Sequence, residues 1–96
     1  MFWRDIPSQV IVQRGRRREK RMLSRRFQEA IDSAAMRAGK GSSNAYIAEW
    51  RREVRQTESD DDLCHVVETE AARFESEYSD EQLLALVRNH GEWREL

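Results

Sequence analysis

The hydrophobic period changes at Ser24, from about two residues to about 3.6, and that change restricts the chain to a sheet followed by helices. Before it, SQVIVQR at residues 8–14 carries Val10-Ile11-Val12, three consecutive β-branched side chains that are stiff at χ1 and suit a pleated surface. Gly15, between Arg14 and Arg16, offers the positive φ of a hairpin turn, so residues 17–23 return as a further strand. That strand is charged almost throughout until Met22-Leu23, a composition suited to a sheet edge. Upstream, Met1 to Ile6 reads as a short strand closed by Pro7, because proline donates no ladder hydrogen bond.

Beyond Ser24, Phe27, Ile31, Ala34, Ala35 and Ala38 form one helical stripe over 24–38, with Ser24 as its cap and Gly39 and Gly41 as its left-handed exit. Tyr46, Ile47, Trp50 and Val54 continue the same spacing and predict a second helix over 44–56, whose Arg51, Arg52 and Arg55 would face the negative end of its dipole. Thr57 to Asp62 reads as a polar hinge, its aspartates suiting the start of a third helix over 60–78 that buries Leu63, Val66, Val67, Ala71, Phe74 and Tyr78. Ser79 with Gln82 has capping-box spacing and opens a fourth helix that should stop near Gly91. The tail EWREL is expected to fray unless Trp93 docks.

The expected fold is therefore α+β: a small antiparallel sheet of two or three strands within residues 1–23, packed against three or four helices. With 96 residues, 39% of them hydrophobic, the chain has room for one domain with a thin core. Residues 1–56 form the basic hairpin and two-helix core, and 57–96 an acidic helical extension of the same domain. A sheet this small needs a helical cover to be stable. The single cysteine excludes an internal disulfide, and no stretch reaches the roughly 20 apolar residues of a membrane span. The opening MFWRDIPSQV does not read as a signal peptide, so a soluble, cytoplasmic protein is expected.

The net charge of −1 conceals two opposed halves. Residues 1–56 hold 14 of the 17 Lys/Arg and 6 of the 18 Asp/Glu, a net of +8, against −9 for the remainder. Such a division implies either internal charge matching or two separate binding faces. The densest charge is Arg14, Arg16, Arg17, Arg18, Lys20 and Arg21, followed by Arg25 and Arg26. Guanidinium forks match carboxylates and phosphates, so this ribbon suits an acidic protein surface, a phosphorylated cofactor or a nucleic-acid backbone. The pI near 6.1 favours the protein partner, because the acidic half would repel a polyanion.

Catalytic signals are weak. Cys64-His65 beside Asp60, Asp61 and Asp62 lacks the spaced ligand pairs of a zinc site, and no family signature of a nucleophile surrounds Cys64, which reads as a partly buried helix residue. His90 fits a helix end. There is no GxGxxG or Walker pattern, and GKGSS at 39–43 lacks the required order. No catalytic residue, metal or cofactor is expected. Trp3, Trp50 and Trp93 are many tryptophans for so short a chain; core packing accounts for Trp50, while Trp beside Arg is also the composition of interface hot spots. The expected partner-binding residues are Trp3, Arg4, Asp5, Arg14, Arg16, Arg17, Arg18, Lys20, Trp50, Arg51 and Arg52.

The strings WRDIPSQV, RFQEAIDSAAMRAG and AYIAEWRR, over about residues 3–52, resemble the small bacterial proteins grouped as "virulence factor". The resemblance carries over no catalytic residues. Members of that family are often encoded beside folate- or corrinoid-dependent methyl-transfer proteins, which implies a non-enzymatic accessory subunit for a methyl-transfer enzyme. Nucleic-acid binding through the same hairpin is the alternative, and no membrane partner is expected.

Overall fold

The computed structural model describes residues 1–39, 43–58 and 62–93. Its strands are β1 (Phe2–Trp3), β2 (Ile6–Pro7), β3 (Gln9–Arg14), β4 (Arg17–Met22), β5 (Trp50–Arg51) and β6 (Arg55–Gln56). Its helices are α1 (Arg25–Arg37), α2 (Ser43–Ala48), α3 (Leu63–Glu77) and α4 (Asp80–Arg88). The architecture is α+β, with the strands divided between two three-stranded sheets, β2-β1-β5 and β4-β3-β6.

The hairpin forms where Val10-Ile11-Val12 and Gly15 place it. Gly15 has φ 60 at the first central position of the turn, the geometry that lets two strands reverse without splaying. The N-terminal segment differs from the single strand expected, because the chain reverses at Arg4-Asp5 and β1 pairs antiparallel with β2. Arg4 takes φ 52 in that reversal.

The second helix is the largest departure. It ends at Ala48, and the following residues add strands instead: β5 pairs antiparallel with β1, and β6 runs parallel to β3. The backbone groups along β1 and β3 need partners, and supplying them outweighs a helical stripe whose Ile47 stays in water at 64% exposure. Arg51, Arg52 and Arg55 consequently do not sit at a helix end.

The remaining helices follow the sequence more closely. Asp62 caps α3 by accepting from the Cys64 N–H at 2.9 Å, and Ser79 and Gln82 form the full capping box of α4. Ser24 precedes α1 without capping it; its hydroxyl and N–H bond instead to Glu75 of α3 at 2.8 and 2.6 Å. Gly39 provides the left-handed exit of α1 at φ 73, whereas Gly41, Asp60, Asp61 and the last three residues lie outside the described residues.

The helices cover the sheets in an unexpected order. The acidic α3 packs across β3 and β4, while α1 packs on α4 and β2. One core joins Val10 and Val12 of the hairpin with Phe27 and Ile31 of α1, Leu63 and Val67 of α3, and Leu83 and Leu86 of α4. At its other end sits Trp3, fully buried. The Trp3 indole N–H donates to the Tyr46 carbonyl at 2.9 Å, and its ring stacks on Tyr46 at 6.0 Å. The chain after α4 closes over this ring: Gly91 accepts from the Asp5 N–H at 2.8 Å, and the Trp93 N–H donates to the Asp5 carboxylate at 2.8 Å. Trp93 therefore docks, its ring 6.0 Å from Tyr78.

Gly91, at φ 87, leaves little room for a side chain, since a Cβ would lie 3.0 Å from the Trp3 ring and the ring would have to give by a few tenths of an ångström. Gly39, at φ 73, has nothing within 4 Å. Both replacements by alanine incur the left-handed backbone cost of about 1–2 kcal/mol, and Gly91→Ala must also displace Trp3. Urea unfolding should show Gly91→Ala as the more destabilised of the two.

Candidate interaction surface

Strand alternation divides the hairpin side chains between two faces. Val10, Val12 and Arg14 on β3 share one face with their cross-strand partners Arg21, Glu19 and Arg17 on β4. This face meets α3, where Val10 and Val12 enter the core and Arg21 lies 3.7 Å from Glu68. The opposite face carries Gln9, Ile11 and Gln13 against Met22, Lys20 and Arg18. Arg52 joins it, lining with Met1, Gln9, Ile11 and Lys20 a cleft of about 260 Å³. Among these described residues the charged side chains are Arg18, Lys20 and Arg52, all positive.

The acidic helices neutralise only part of the basic cluster. Arg26 is held by Glu75 at 3.3 Å and Asp80 at 3.1 Å, and its Nη2 also donates to the Glu75 carbonyl at 2.7 Å. Arg55, on β6, pairs with Glu70 at 2.7 Å, and Glu70 also takes Arg73 at 2.6 Å. Arg25 pairs along its own helix with Glu29. Arg16, Arg17, Arg18 and Lys20 are exposed and make no ion pair with any described residue. Arg18 is nevertheless positioned, since its guanidinium donates twice to Gln13 Oε1 at 3.2 and 2.9 Å. Arg14 stands opposite Arg17 as the closing pair of the hairpin.

The other expected contact residues do not join this surface. Trp3 is a core residue, a correction with a plain cause: one face of the β1 ribbon must be buried, and the indole is the largest apolar group available there. Arg4 is turned inward, its Nη1 donating to the His90 carbonyl at 2.9 Å and its Nη2 to Glu49 at 3.4 Å; its Nε lies 3.4 Å from Glu49 without a hydrogen bond. Asp5 binds Arg51 at 3.4 Å and the Trp93 backbone. Arg51 also lies over the Phe2 ring at 4.9 Å, and Trp50 is half-buried edge-on to Tyr46 at 5.8 Å. These five residues form an internal latch between the N-terminal reversal, β5 and the chain after α4.

Met22 is a surface residue that composition alone did not single out. It is 62% exposed at the end of β4, on the same face as Lys20, and counting alternation from Val10 would have found it. His90 lies past α4 with φ 60, its carbonyl taken by Arg4. A cavity of about 370 Å³ opens between β1, β3, β6 and α3, but its charged wall side chains are already paired, Arg55 with Glu70 at 2.7 Å and Glu53 with Arg51 at 3.8 Å. Among the described residues, no three His, Cys, Asp or Glu side chains converge as a metal site, and no helix is long and apolar enough to cross a membrane.

A small α+β domain with a positively charged hairpin held against an acidic helix is the class that fold and surface define. The family described as "Virulence factor" has a model that matches residues 1–87, and the chain belongs to that family. The match runs through α3 and nearly to the end of α4, well beyond the N-terminal motifs. No curated protein and no solved structure matches the chain.

Cys64 is exposed at the start of α3, not partly buried as its helical position suggested. Its thiol pKa is raised, chiefly by the charge of Glu19 on β4, with smaller effects from desolvation, Asp62 and Glu68. Only the thiolate reacts with iodoacetamide, so alkylation of Cys64 should require higher pH than alkylation of a cysteine peptide. Glu19→Gln should move the midpoint of the rate–pH profile downward; an unmoved midpoint would refute this coupling.

Proposed function

We propose that the protein is a non-enzymatic accessory subunit that docks on a partner protein through the β3–β4 hairpin. The observation that supports this reading is the set of cations Arg16, Arg17, Arg18, Lys20 and Arg52, exposed and without ion pairs to described residues, although the chain carries an acidic half that could have matched them. Guanidinium groups, which shed their hydration more readily than ammonium, with an exposed Met22 beside them suit a protein surface with carboxylates around an apolar patch. The resemblance in the N-terminal motifs brings forward a folate- or corrinoid-dependent methyl-transfer enzyme as that partner, in the cytoplasm.

Glu70, Glu75 and Glu77 on α3 weigh against a polyanion. They are occupied by Arg55, Arg26 and Arg73, but their carboxylates still limit the positive field around the hairpin. Nucleic-acid binding by the same residues is the reading that the test must separate.

The triple variant R16E/R17E/R18E should keep the fold, because none of these side chains enters the core, and should lose the partner. Far-UV circular dichroism and thermal unfolding check the first point. Intact-mass measurement of the complex drawn from the native cell by the tagged chain checks the second. Recovery equal to that of the unaltered chain would refute the docking role. Retention on duplex DNA at low salt, falling steeply as salt rises, would instead establish the nucleic-acid reading.

A further inference from the structure

We propose that the outer edge of β4 is a strand-addition site that takes an extended acidic segment of a partner protein. This rests on the docking role of the hairpin and specifies its mode. In a two-residue hairpin the closing pair, here Arg14 and Arg17, exchanges backbone hydrogen bonds. Alternation then directs the N–H and C=O groups of Arg17, Glu19 and Arg21 toward β3, and those of Arg18, Lys20 and Met22 outward. Gln13 supports this phase independently: it lies opposite Arg18, and its carbonyl turns away from β4 to accept from the Thr57 N–H at 3.0 Å.

β4 is the terminal strand of its sheet, and no hydrogen bond from a described residue reaches these outward groups. Six residues of open edge span about 20 Å, the length of an ordinary strand. Such an edge is a template for any extended chain, and its side chains decide which one. Arg17, Arg18, Lys20 and Arg21 against the single Glu19 repel a second β4, so pairing between copies of this chain is disfavoured. The same charges attract a strand with carboxylates opposite Arg18 and Lys20 and an apolar residue opposite Met22. Arg21 can join them, because its 3.7 Å contact with Glu68 is exposed on both sides and exchanges readily for a better partner.

The test uses the full chain with a synthetic ten-residue peptide that in antiparallel register places glutamates opposite Arg18 and Lys20 and valine opposite Met22, and a second copy of it N-methylated at the backbone nitrogens of those three residues. Hydrogen exchange at the N–H groups of Arg18, Lys20 and Met22 should slow at least about tenfold with the first peptide, and N-methylation should weaken binding at least about tenfold. Equal binding of both peptides, or no binding, would overturn the proposal. Lys20→Pro removes the central outward N–H, while Lys20→Ala removes only the charge; proline should weaken the peptide at least about tenfold more. If Lys20→Pro fails to fold, the methylated peptide on the unaltered chain still decides. Loss of the native partner in R16E/R17E/R18E but retention in Lys20→Pro would leave the docking role standing and remove strand addition. Retention in both would remove both.

Discussion

The indole of Trp3 is the contact on which the rest of the structure depends. Its N–H reaches Tyr46, 43 residues away, and its ring lies against Gly91, where a Cβ would approach it to 3.0 Å. Ala34 of α1 lies beside Gly91 as well, so one side chain unites the first strand, the second helix and the approach between α1 and the chain after α4. The small residues of α1 are what permit that approach. An aromatic group buried among small side chains contributes a large share of the apolar area that a core this thin can hide.

Around this centre the charges separate into two kinds. Arg26 and Arg55 are met by carboxylates of α3 and α4 and tie that helix pair to α1 and β6, while Arg73 pairs within α3. Glu75 is the most connected of these acids, binding the backbone and hydroxyl of Ser24 as well as Arg26. Exposed ion pairs of this kind contribute about 0–1 kcal/mol each, so they orient α3 against α1 and β6 more than they stabilise it. The cations at the hairpin turn lie beyond the reach of these acids. Segregated charge therefore serves both alternatives that the sequence left open: internal matching near α3, and an open basic face on the other side of the same two strands.

Much of the fold was legible because its determinants are local. Val10-Ile11-Val12 with Gly15 specified the hairpin, the stripe from Phe27 to Ala35 specified α1, and Ser79 with Gln82 specified the start of α4. The stretch 44–56 was misread because Tyr46, Ile47, Trp50 and Val54 satisfy helical spacing. Their backbone was claimed by the unpaired edges of β1 and β3, which no local pattern records. Trp3, Arg4 and Asp5 were misread for a related reason. A Trp-Arg-Asp string has the composition of a contact surface, and only the positions of Tyr46, Glu49, His90 and Trp93 reveal that it is occupied from within.

The amino-acid sequence by itself determined the class of fold, the hairpin, three of the four helices and the uneven distribution of charge, since each follows from neighbours within a few residues. Tertiary structure alone decided that the strands form two sheets, that an acidic helix covers the hairpin, and which arginines are neutralised. Those outcomes turn on contacts such as Ser24 with Glu75 and Arg4 with His90, separated by 51 and 86 residues. Whether a cation finds its carboxylate depends on where two distant elements dock, and that is set by how the whole core packs.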